Sequence, residues 1–454
     1  MRLFNLTIAL ASSSLLLSAA FFCPTYFFWF VFIFLIPVFY LAFTHVETLT
    51  FTTGFWWGLL FFGAHFYGLM VLLHEKAQGQ LRLLAGLVLI LYCALHAGLW
   101  FCITARFIKM VENSIVWKSC CLLLCTQLYF YWLEFGIFWI FGHVNGYCFA
   151  SPLLTLAHYP KLLMALPILG TQGLFACLCV MQLLLALAII KKSYNYVATS
   201  LIFLIPFLFG VVKNNNVEIP SYVSKLGYVS PPPKEVDTLF DRAEEINTSI
   251  MKKIRSNPKT TTILMPESSM YGSLNQHQEI LDLWATNALA DNNITLIVGS
   301  FRTDNQENVF VTLYKLRGSR IINHYDKSFL FPFTEYLPDT YKRFKWIRNL
   351  FLKENNDFST KELSPVFFEI EADCFVQPYL CSDLYYSHHH IKKNNENKPI
   401  LFAVNDSWFS TSYMKRLMFL FAVFKAIEFG QDVMYVGHSF GAWIDHATGK
   451  TINL

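Results

Sequence analysis

Three residues that could together carry out nucleophilic acyl transfer each follow a strand-like run of this sequence. Glu267 follows ILMP, Lys327 follows IINHYD, and Cys381 follows QPYL. A carboxylate can take the proton of a thiol, and the thiolate is the attacking form of cysteine. A nearby lysine ammonium would stabilise both the thiolate and the oxyanion of a tetrahedral intermediate. Spacing alone leaves a second explanation open, in which the glutamate and lysine are solvated and the cysteine packs in a core.

The elements that must position these residues alternate between helix-like and strand-like patterns in the second half of the chain. We predict a strand and then a loop in about 220–236, and helices at about 236–256, 276–291 and 411–429. The predicted strands are TTILMPESS, ITLIVGSF, NVFVTLYKL, SRIINHYDKSFL, VFFEI, FVQPYLCSD, ILFAVND and DVMYVGHS. Strands that alternate with helices and hairpins indicate a layered α/β domain, in which reactive groups lie at strand ends.

The first half of the chain has the composition of a membrane protein. Hydrophobic residues make up 55% of the 454 residues and charged residues only 15%, whereas about a quarter of the residues of a soluble protein are charged. The apolar excess lies before residue 213, so we predict a transmembrane helical domain at 1–213 and a second domain at 214–454. The first apolar run could instead be a signal peptide, because Arg2 precedes it and Ala19-Ala20 follow it.

Apolar runs of this length predict about seven membrane spans. The runs lie at about 5–22, 26–43, 51–73, 83–105, 117–141, 162–190 and 198–212. The loop charges favour an N-terminus on the inner side, because five lysines and arginines then lie in inner loops and three in outer loops. These are Arg106, Lys109, Lys118, Lys191 and Lys192 inside, and Lys76, Arg82 and Lys161 outside. Seven spans then place the second domain outside, which in a bacterium is the periplasmic face of the inner membrane.

Net charge and cysteine spacing argue against two other kinds of site. The formal net charge of +4 provides no clustered basic face for nucleic acid. Most of the 11 cysteines lie in or beside apolar runs, where they act as small hydrophobic residues, and only Cys374 and Cys381 lie in the polar half. The cysteine and histidine spacing matches no structural zinc site, so we predict no metal.

Four strings in the second half, in this order, resemble the nitrilase superfamily: LMPESS, NHYDKSFLFPFTEYLP, PYLCSD and AVNDSWF. The resemblance implies an αββα sandwich with Glu267 as general base, Lys327 as electrostatic stabiliser and Cys381 as nucleophile. It also implies supporting roles for Glu335, Asp383, Asn405, Asp406 and Trp408. The string AIEFG that follows them matches the superfamily as well.

A nitrilase-like domain behind membrane spans resembles the apolipoprotein N-acyltransferase family, as does the stretch WLEFGIFWIFGHVNGYCFASPLLTLA at 132–157. The resemblance implies an enzyme that works in the bilayer without a cofactor. Its substrates would be a phospholipid acyl donor and a diacylated lipoprotein acceptor. In the implied ping-pong reaction, the thiolate of Cys381 takes an acyl chain, and the thioester passes it to the N-terminal diacylglyceryl-cysteine amine. We expect a monomer.

The sequence departs from that family's pattern at three places. The family has Cys-Tyr-Glu at the nucleophile, where this chain has Cys381-Ser382-Asp383. The motifs at AVFKAIE and VGHSFG are altered, and the sequence stops at Leu454, where the family continues. Two alternatives therefore stay open: a divergent, weakly active or inactive relative that binds lipid or lipoprotein as an accessory protein, and an amidase or nitrilase that acts on another substrate.

Two short motifs in the second half could carry a different chemistry. The string GHSFG at 437–441 fits the nucleophile-elbow pattern G-x-S-x-G. However, AWIDHATGK after it predicts a turn-rich strand, whereas the elbow needs a helix there. The three histidines at 388–390 could bind a metal, but they run into the polar string KKNNENK, which is typical of a solvated loop.

Two further features could contact the membrane or lie inside it. The segment YKRFKWIRNLFLK at 341–353 has apolar residues at helical spacing with basic residues between them. This pattern predicts an amphipathic helix, which lies either on the membrane surface or on the surface of its own domain. Because the domain is tethered beside a bilayer, we expect a membrane-facing arm near 339–355. Glu134, His143 and Asn145 are polar residues in or beside a predicted span, where they either serve a function or pack helices.

Overall fold

The computed structural model describes most of the chain, and the chain divides into two compact units. The described residues are 2–68, 70–71, 80–111, 114–137, 148–212, 217–231, 238–290, 294–331, 335–345, 357–361, 366–386 and 398–454. The first unit comprises Met1–Ile140, Asn145–Asn215 and Phe409–Phe424, and the second comprises Phe141–Val144, Asn216–Trp408 and Lys425–Leu454. Residues 409–424 belong with the first unit, although the sequence-based division placed them in the second.

The first unit is built from helices. The described α-helices that lie wholly within it are Arg2–Phe22, Pro24–Phe27, Ile36–Thr44, Phe51–His65, Gln80–Met110, Ile115–Phe135, Leu166–Lys191, Tyr194–Ile202 and Ile205–Val212. The helix Ser412–Phe429 belongs to it up to Phe424. Local signals fix several of their ends. Thr50 and Thr53 form a capping box at the start of Phe51–His65, and Ser114 accepts a hydrogen bond from the Trp117 N–H at the start of Ile115–Phe135.

Three helical stretches among the described residues are long and apolar enough to cross a membrane: Pro24–Thr44, which runs from Pro24–Phe27 through a 3₁₀ segment to Ile36–Thr44, Gly86–Met110 and Leu166–Lys191. Tyr194–Ile202 and Ile205–Val212 pass the same test only as a pair, with a bend of 50° between them. The helical first half is therefore confirmed with three or four candidate spans, and the number seven is not confirmed. Phe51–His65, for example, has 15 residues, fewer than the roughly 20 that a bilayer requires.

Small residues let two helices of the first unit pack closely. A Cβ atom on Gly54 would lie 2.6 Å from Ala97 O, and one on Gly58 would lie 2.7 Å from Ala97 Cβ. The indole of Trp57, on the same helix, donates a hydrogen bond to Ser13 Oγ at 3.0 Å. Small residues and hydroxyl groups at helix contacts are typical of membrane helices, which lack a hydrophobic driving force for association.

Glu134 joins two helices of the first unit. Its Oε2 accepts a hydrogen bond from Gln172 Nε2 at 3.2 Å, and Gln127 Nε2 donates to Gln172 O at 2.7 Å. Gln127 and Glu134 lie on Ile115–Phe135, and Gln172 lies on Leu166–Lys191. The hydrogen bond from Gln172 to Glu134 therefore joins these two helices. His143 and Asn145 lie outside the described residues.

The second unit contains two β-sheets. The first has the order β1 (Leu226–Tyr228), β2 (Thr262–Leu264), β3 (Thr295–Thr303), β4 (Val309–Arg317) and β5 (Arg320–Asp326). In this sheet β1, β2 and β3 are parallel, and β4 and β5 continue it in antiparallel hairpins. The second sheet has the order β11 (Thr451–Asn453), β10 (Gly441–Ile444), β9 (Val433–Val436), β8 (Ile400–Ala403), β7 (Cys374–Leu380) and β6 (Phe368–Glu371). Its centre, β7, β8 and β9, is parallel.

Side chains of the first sheet alternate between two cores. Leu264 lies in a core shared with residues of the second sheet such as Leu380. Its neighbour Ile263 lies in a core with Ile246 and Trp284, which belong to the helices Leu239–Ser256 and Gln278–Thr286. Because successive side chains of a strand point to opposite faces, the layers are helix, sheet and sheet. The α/β domain is confirmed, and each of the eight predicted strand strings overlaps a strand.

The helix predicted at 276–291 is shorter than expected. It spans Gln278–Thr286. Thr286 Oγ1 donates to Asp282 O at 2.9 Å, and Asn287 Nδ2 donates to Leu283 O at 2.9 Å. These side chains bind the carbonyl groups that the next backbone N–H groups of a longer helix would use. The helix therefore ends at Thr286, although the apolar pattern continues to about residue 291.

Candidate active site

Glu267 lies just beyond the end of β2 and is 2% exposed. Its Oε1 accepts a hydrogen bond from Lys327 Nζ at 2.8 Å, and its Oε2 accepts one from the backbone N–H of Asn405 at 3.1 Å. Both oxygens of this buried carboxylate are therefore held by donors from other parts of the chain.

The backbone turns sharply at Glu267, against β3. Ser268 has a φ of +55°, which costs a residue other than glycine about 1 kcal/mol or more. A Cβ atom on Gly299 would lie 2.4 Å from Pro266 O and 2.6 Å from Glu267 Cα. Only glycine fits at this point of β3, so Gly299 lets the turn that carries Glu267 approach the sheet.

Lys327 directly follows β5, and its side chain is 1% exposed. Its Nζ donates to Glu267 Oε1 at 2.8 Å and to Glu335 Oε1 at 2.7 Å. The residue before it, Asp326, is held by Arg302, whose Nε and Nη2 donate to its carboxylate at 2.9 and 2.7 Å. One buried ammonium thus lies between two carboxylates, at the end of a strand that a bidentate ion pair fixes.

Glu335 closes the loop that follows Lys327. Its Oε2 accepts a hydrogen bond from the Phe331 N–H at 2.7 Å, and its own N–H donates to Phe331 O at 3.0 Å. The side chain is 14% exposed. Glu335 therefore holds the lysine with one carboxylate oxygen and the loop with the other.

Cys381 lies at the turn between β7 and the short helix Ser382–Tyr386. It has a φ of +40°, and its N–H donates to Ala403 O at 2.9 Å. Strained backbone at a strand end is found where a functional side chain must be presented. The charges of Glu267 and Lys327 both act on its thiol, and so does the backbone N–H of Asn405. The structure therefore brings the three residues of the predicted triad together.

Asp383 is fully buried and accepts four hydrogen bonds. The four donors, all within 3.2 Å, are the backbone N–H groups of Ser328, Phe329 and Leu380 and the hydroxyl of Tyr325. Ser382 adds a fifth connection, because its buried hydroxyl donates to Phe329 O. The Ser-Asp pair after the nucleophile thus ties the turn of Cys381 to the loop after Lys327.

The loop after β8 contacts the site through its backbone and through a turn. Asn405 gives its N–H to Glu267. Asp406 is fully buried, and its Oδ1 accepts from the N–H groups of His438 at 2.6 Å and Ser439 at 3.2 Å. Trp408 ends the 3₁₀ turn of this loop and is half-buried.

Burial and charge set the protonation of the site. Burial raises the pKa of Glu267; Lys327 opposes this effect and Glu335 adds to it. Burial alone would lower the pKa of Lys327, but the charges of Glu267 and Glu335 outweigh it and raise that pKa well above its usual value. Burial also raises the pKa of Cys381, with Glu267 adding to the shift and Lys327 opposing it. The resting site therefore holds a thiol, a lysine ammonium and a carboxylate of increased basicity.

Asp383 is a second carboxyl group with a shifted pKa. Burial raises the pKa of Asp383 to about 7, against the opposing effects of Lys327 and of the N–H and O–H donors around it. In its ionised form Asp383 accepts four hydrogen bonds, three of them from backbone N–H groups. Protonation would place an O–H of Asp383 against one of these donors, and that hydrogen bond would be lost. The geometry indicates that Asp383 positions the backbone on both sides of the site and does not itself react.

One group of possible metal ligands occurs among the described residues. Asp432, Asp445 and His446 have ligand atoms within 4.8 Å of one another. Asp432 Oδ1 accepts hydrogen bonds from the backbone N–H and from Nδ1 of His446, at 3.1 and 2.7 Å. This group does not include Glu267, Lys327 or Cys381.

Other residues singled out in the sequence lie elsewhere or outside the described residues. The GHSFG string forms the turn between the antiparallel strands β9 and β10, whereas a nucleophile elbow joins a strand to a helix. The histidines at 388–390 and residues 346–355 of the predicted arm lie outside the described residues. The arm begins with the helix Asp339–Lys342, and Phe344 after it is 50% exposed.

Sequence reasoning missed three residues that build the site. Gly299 had a visible signal, since a glycine inside a strand marks a close backbone approach. Tyr325 had none, because a hydroxyl contact between distant segments leaves no trace in local spacing. His438 was noticed only as part of the GHSFG string, whose spacing gave no sign of the contact with Glu267.

A carboxylate, a lysine and a thiol thus lie at strand ends of an α/β domain with two sheets, as the resemblance to nitrilase-like proteins predicts. No family model matches the chain. A curated protein, apolipoprotein N-acyltransferase from Aquifex aeolicus (strain VF5), is 25% identical over 273 residues, which is 56% of this chain and 56% of that protein. The aligned part thus spans about half the length of this relative. The resemblance to apolipoprotein N-acyltransferase is confirmed.

Solved structures of the nitrilase superfamily also align with this chain. An amidase from Nesterenkonia sp. aligns with 50% of this chain and 85% of its own, at 13% identity and a TM-score of 0.37. Nit3 from Saccharomyces cerevisiae, a member of branch 10 of the nitrilase superfamily, aligns with 48% of this chain and 82% of its own, at 12% identity and a TM-score of 0.36.

Proposed function

We propose that this protein is a membrane N-acyltransferase that moves a fatty acyl chain from a phospholipid to the N-terminal diacylglyceryl-cysteine amine of a lipoprotein. The observation that carries the proposal is the buried ammonium of Lys327, which lies between the carboxylates of Glu267 and Glu335 beside the thiol of Cys381. The curated relative supports the choice of substrates, because it is an apolipoprotein N-acyltransferase.

In the first half-reaction Glu267 takes the proton of the Cys381 thiol, and the sulfur attacks the ester carbonyl of the phospholipid. The resting thiol needs this base, because burial raises its pKa. The ammonium of Lys327 stabilises the oxyanion that forms. The ester C–O bond then breaks, the proton on Glu267 passes to the leaving alcohol, and a lysophospholipid departs from the thioester on Cys381.

In the second half-reaction the amine of the acceptor attacks the thioester carbonyl. Glu267 takes a proton from the attacking nitrogen, and Lys327 again stabilises the oxyanion. The C–S bond breaks, the Cys381 sulfur leaves and recovers its proton, and the amide product forms. Because Glu267 is both acid and base, its raised pKa suits the two directions of proton transfer.

The membrane part of the proposal concerns the spans and the side of the membrane. We propose about seven spans with the N-terminus inside, which places the second unit on the periplasmic face of a bacterial inner membrane. The apolar helices and the excess of lysine and arginine in the predicted inner loops support this arrangement. The arm near 339–355 would lie on the membrane surface, and the exposed Phe344 at its described start supports that role. A monomer would suffice, because the triad comes from one chain.

The test is a two-substrate assay with the purified full chain in detergent. Phosphatidylethanolamine and a diacylglyceryl-cysteine peptide are supplied together, and the mass of the peptide is followed. We expect the mass to rise by one acyl group, and Cys381→Ser to abolish the rise. Cys374→Ser is the matched control, because Cys374 lies at the start of the same strand and is partly exposed. Normal transfer by Cys381→Ser would contradict the proposal.

Two alternatives predict other results. An accessory protein would bind lipid without forming an adduct, and the Cys381-Ser382-Asp383 departure motivates this possibility. The geometry speaks against a damaged site, because Ser382 and Asp383 both hold the loop after Lys327. An amidase would instead release ammonia from a small amide, a reaction that needs none of the apolar helices.

A further inference from the structure

The turn of the GHSFG string approaches the backbone of the proposed general base. His438 Nε2 lies 2.9 Å from Glu267 O. A carbonyl oxygen only accepts hydrogen bonds, so Nε2 must carry the proton and donate it. The other ring nitrogen, Nδ1, is then the acceptor, and Ser230 Oγ lies 3.5 Å from it.

His438 is itself held by its backbone. Its N–H donates to Asp406 Oδ1 at 2.6 Å. The carbonyl oxygen of the preceding Gly437 accepts a hydrogen bond from the Tyr228 hydroxyl at 2.6 Å, and the Gly437 N–H donates to Phe440 O at 3.1 Å. The turn is therefore attached to β1 and to the loop after β8, so the backbone from which the imidazole extends is held in place.

The backbone that His438 contacts adopts a strained conformation. Ser268, next to Glu267, has the left-handed φ of +55°, and the turn is pressed against Gly299. The neighbouring residues Asn405 and Asp406 act on Glu267 by two routes. Asn405 holds the carboxylate directly, and Asp406 holds the histidine that holds the carbonyl.

We propose that His438 is a positioning residue that fixes the backbone of Glu267, and so the direction from which its carboxylate meets the thiol of Cys381. The inference rests on the proposed function for the role of Glu267 as base. It gives the G-x-S-x-G string a task that does not involve Ser439 as a nucleophile. The serine contributes its backbone N–H to Asp406, and its hydroxyl is not required.

The test has two arms, and the first measures Cys381 directly without any lipid. The rate of alkylation of Cys381 by iodoacetamide is followed by peptide mass in the full chain, across a series of pH values, beside the rate of acyl transfer. The variants are His438→Ala, which removes the donor, and His438→Gln, whose amide can donate to the same carbonyl. Ser439→Ala is the matched control in the same turn. Thermal unfolding of each variant verifies that it is folded.

We expect His438→Ala to slow acyl transfer about 10- to 100-fold, the size of effect that a displacement of about 1 Å produces, and to change the pH profile of alkylation. His438→Gln should recover most of both, and Ser439→Ala should match the wild type. Unchanged alkylation and transfer in a folded His438→Ala would overturn the inference, as would equal losses in the Ala and Gln variants. If the wild type never transfers an acyl chain, the proposed function fails, while the alkylation profiles still decide the role of His438.

Discussion

Replacing Lys327 with methionine should destabilise the second unit in a way that depends on pH. Methionine keeps the length and most of the volume of the side chain, so little cavity forms. What is lost is the ammonium that lies 2.8 Å from Glu267 Oε1 and 2.7 Å from Glu335 Oε1. One positive and two negative charges become two negative charges in a site where Glu267 is 2% exposed.

The magnitude follows from the burial of the charges. Removal of one partner from a buried ion pair costs about 3–5 kcal/mol, because the other partner stays buried without compensation. For a domain of this size each 1 kcal/mol lowers the melting temperature by about 2–4 °C, so we expect a fall of roughly 6–20 °C.

The pH dependence has a definite sign. Lys327 is the group that lowers the pKa of Glu267 against the effect of burial, so the folded-state pKa of Glu267 rises further in the variant. A carboxyl group whose pKa is raised by folding contributes stability below that pKa and loses it as the pH rises. The destabilisation of Lys327→Met should therefore be larger at about pH 8 than at about pH 5.

Thermal unfolding of the full chain in detergent at these two pH values is the measurement. Lys342→Met is the matched control, because Lys342 forms an ion pair with Asp357 at 3.0 Å in which both side chains are more than 40% exposed. That substitution should cost less than about 1 kcal/mol. An equal loss for the two variants, or a loss at Lys327 that does not change with pH, would refute the reasoning.

Two further substitutions test other parts of the site. Gly299→Ala should lower thermal stability by about 1–3 kcal/mol and slow transfer, because its Cβ would meet Pro266 O at 2.4 Å. Gly63→Ala, a helical position with no atom within 4 Å of its Cβ, should lower neither, and equal losses would contradict the close approach. Asp383→Asn should slow transfer about 10- to 100-fold, because its amide turns a donor toward N–H groups that need an acceptor. For the same reason the wild-type transfer rate should fall as the pH drops through about 7, because burial raises the pKa of Asp383 to about 7. If Asp383→Asn shows the same fall in rate near this pH, the titrating group is a different residue.

Much of the second unit could be predicted from sequence because its signals are local. The apolar β-branched residues of ITLIVGSF predict a strand, and this string forms most of β3 (Thr295–Thr303). The placement of Glu267, Lys327 and Cys381 at strand ends followed from the same patterns. What local patterns cannot provide is the pairing of distant strands, such as the parallel contact of β7 with β8, or the contact of Asp383 with Ser328.

The first unit was harder to predict for a different physical reason. Hydropathy reports how well each residue partitions into lipid, and it does not report where a helix breaks. The run at about 162–190 contains Gly170, whose φ of +67° interrupts the helix Leu166–Lys191, and the last run is bent by 50°. Composition therefore identified a helical, apolar first half but gave no secure count of spans.

The most direct test of the account is a search for an acyl group on Cys381. The full chain is incubated with phosphatidylethanolamine alone, and its intact mass is read before and after hydroxylamine, which cleaves thioesters. The account predicts an adduct of one acyl chain that hydroxylamine removes, that Cys374→Ser retains and that Cys381→Ser lacks. A folded wild-type protein that gains no adduct, or an adduct that persists in Cys381→Ser, would contradict it.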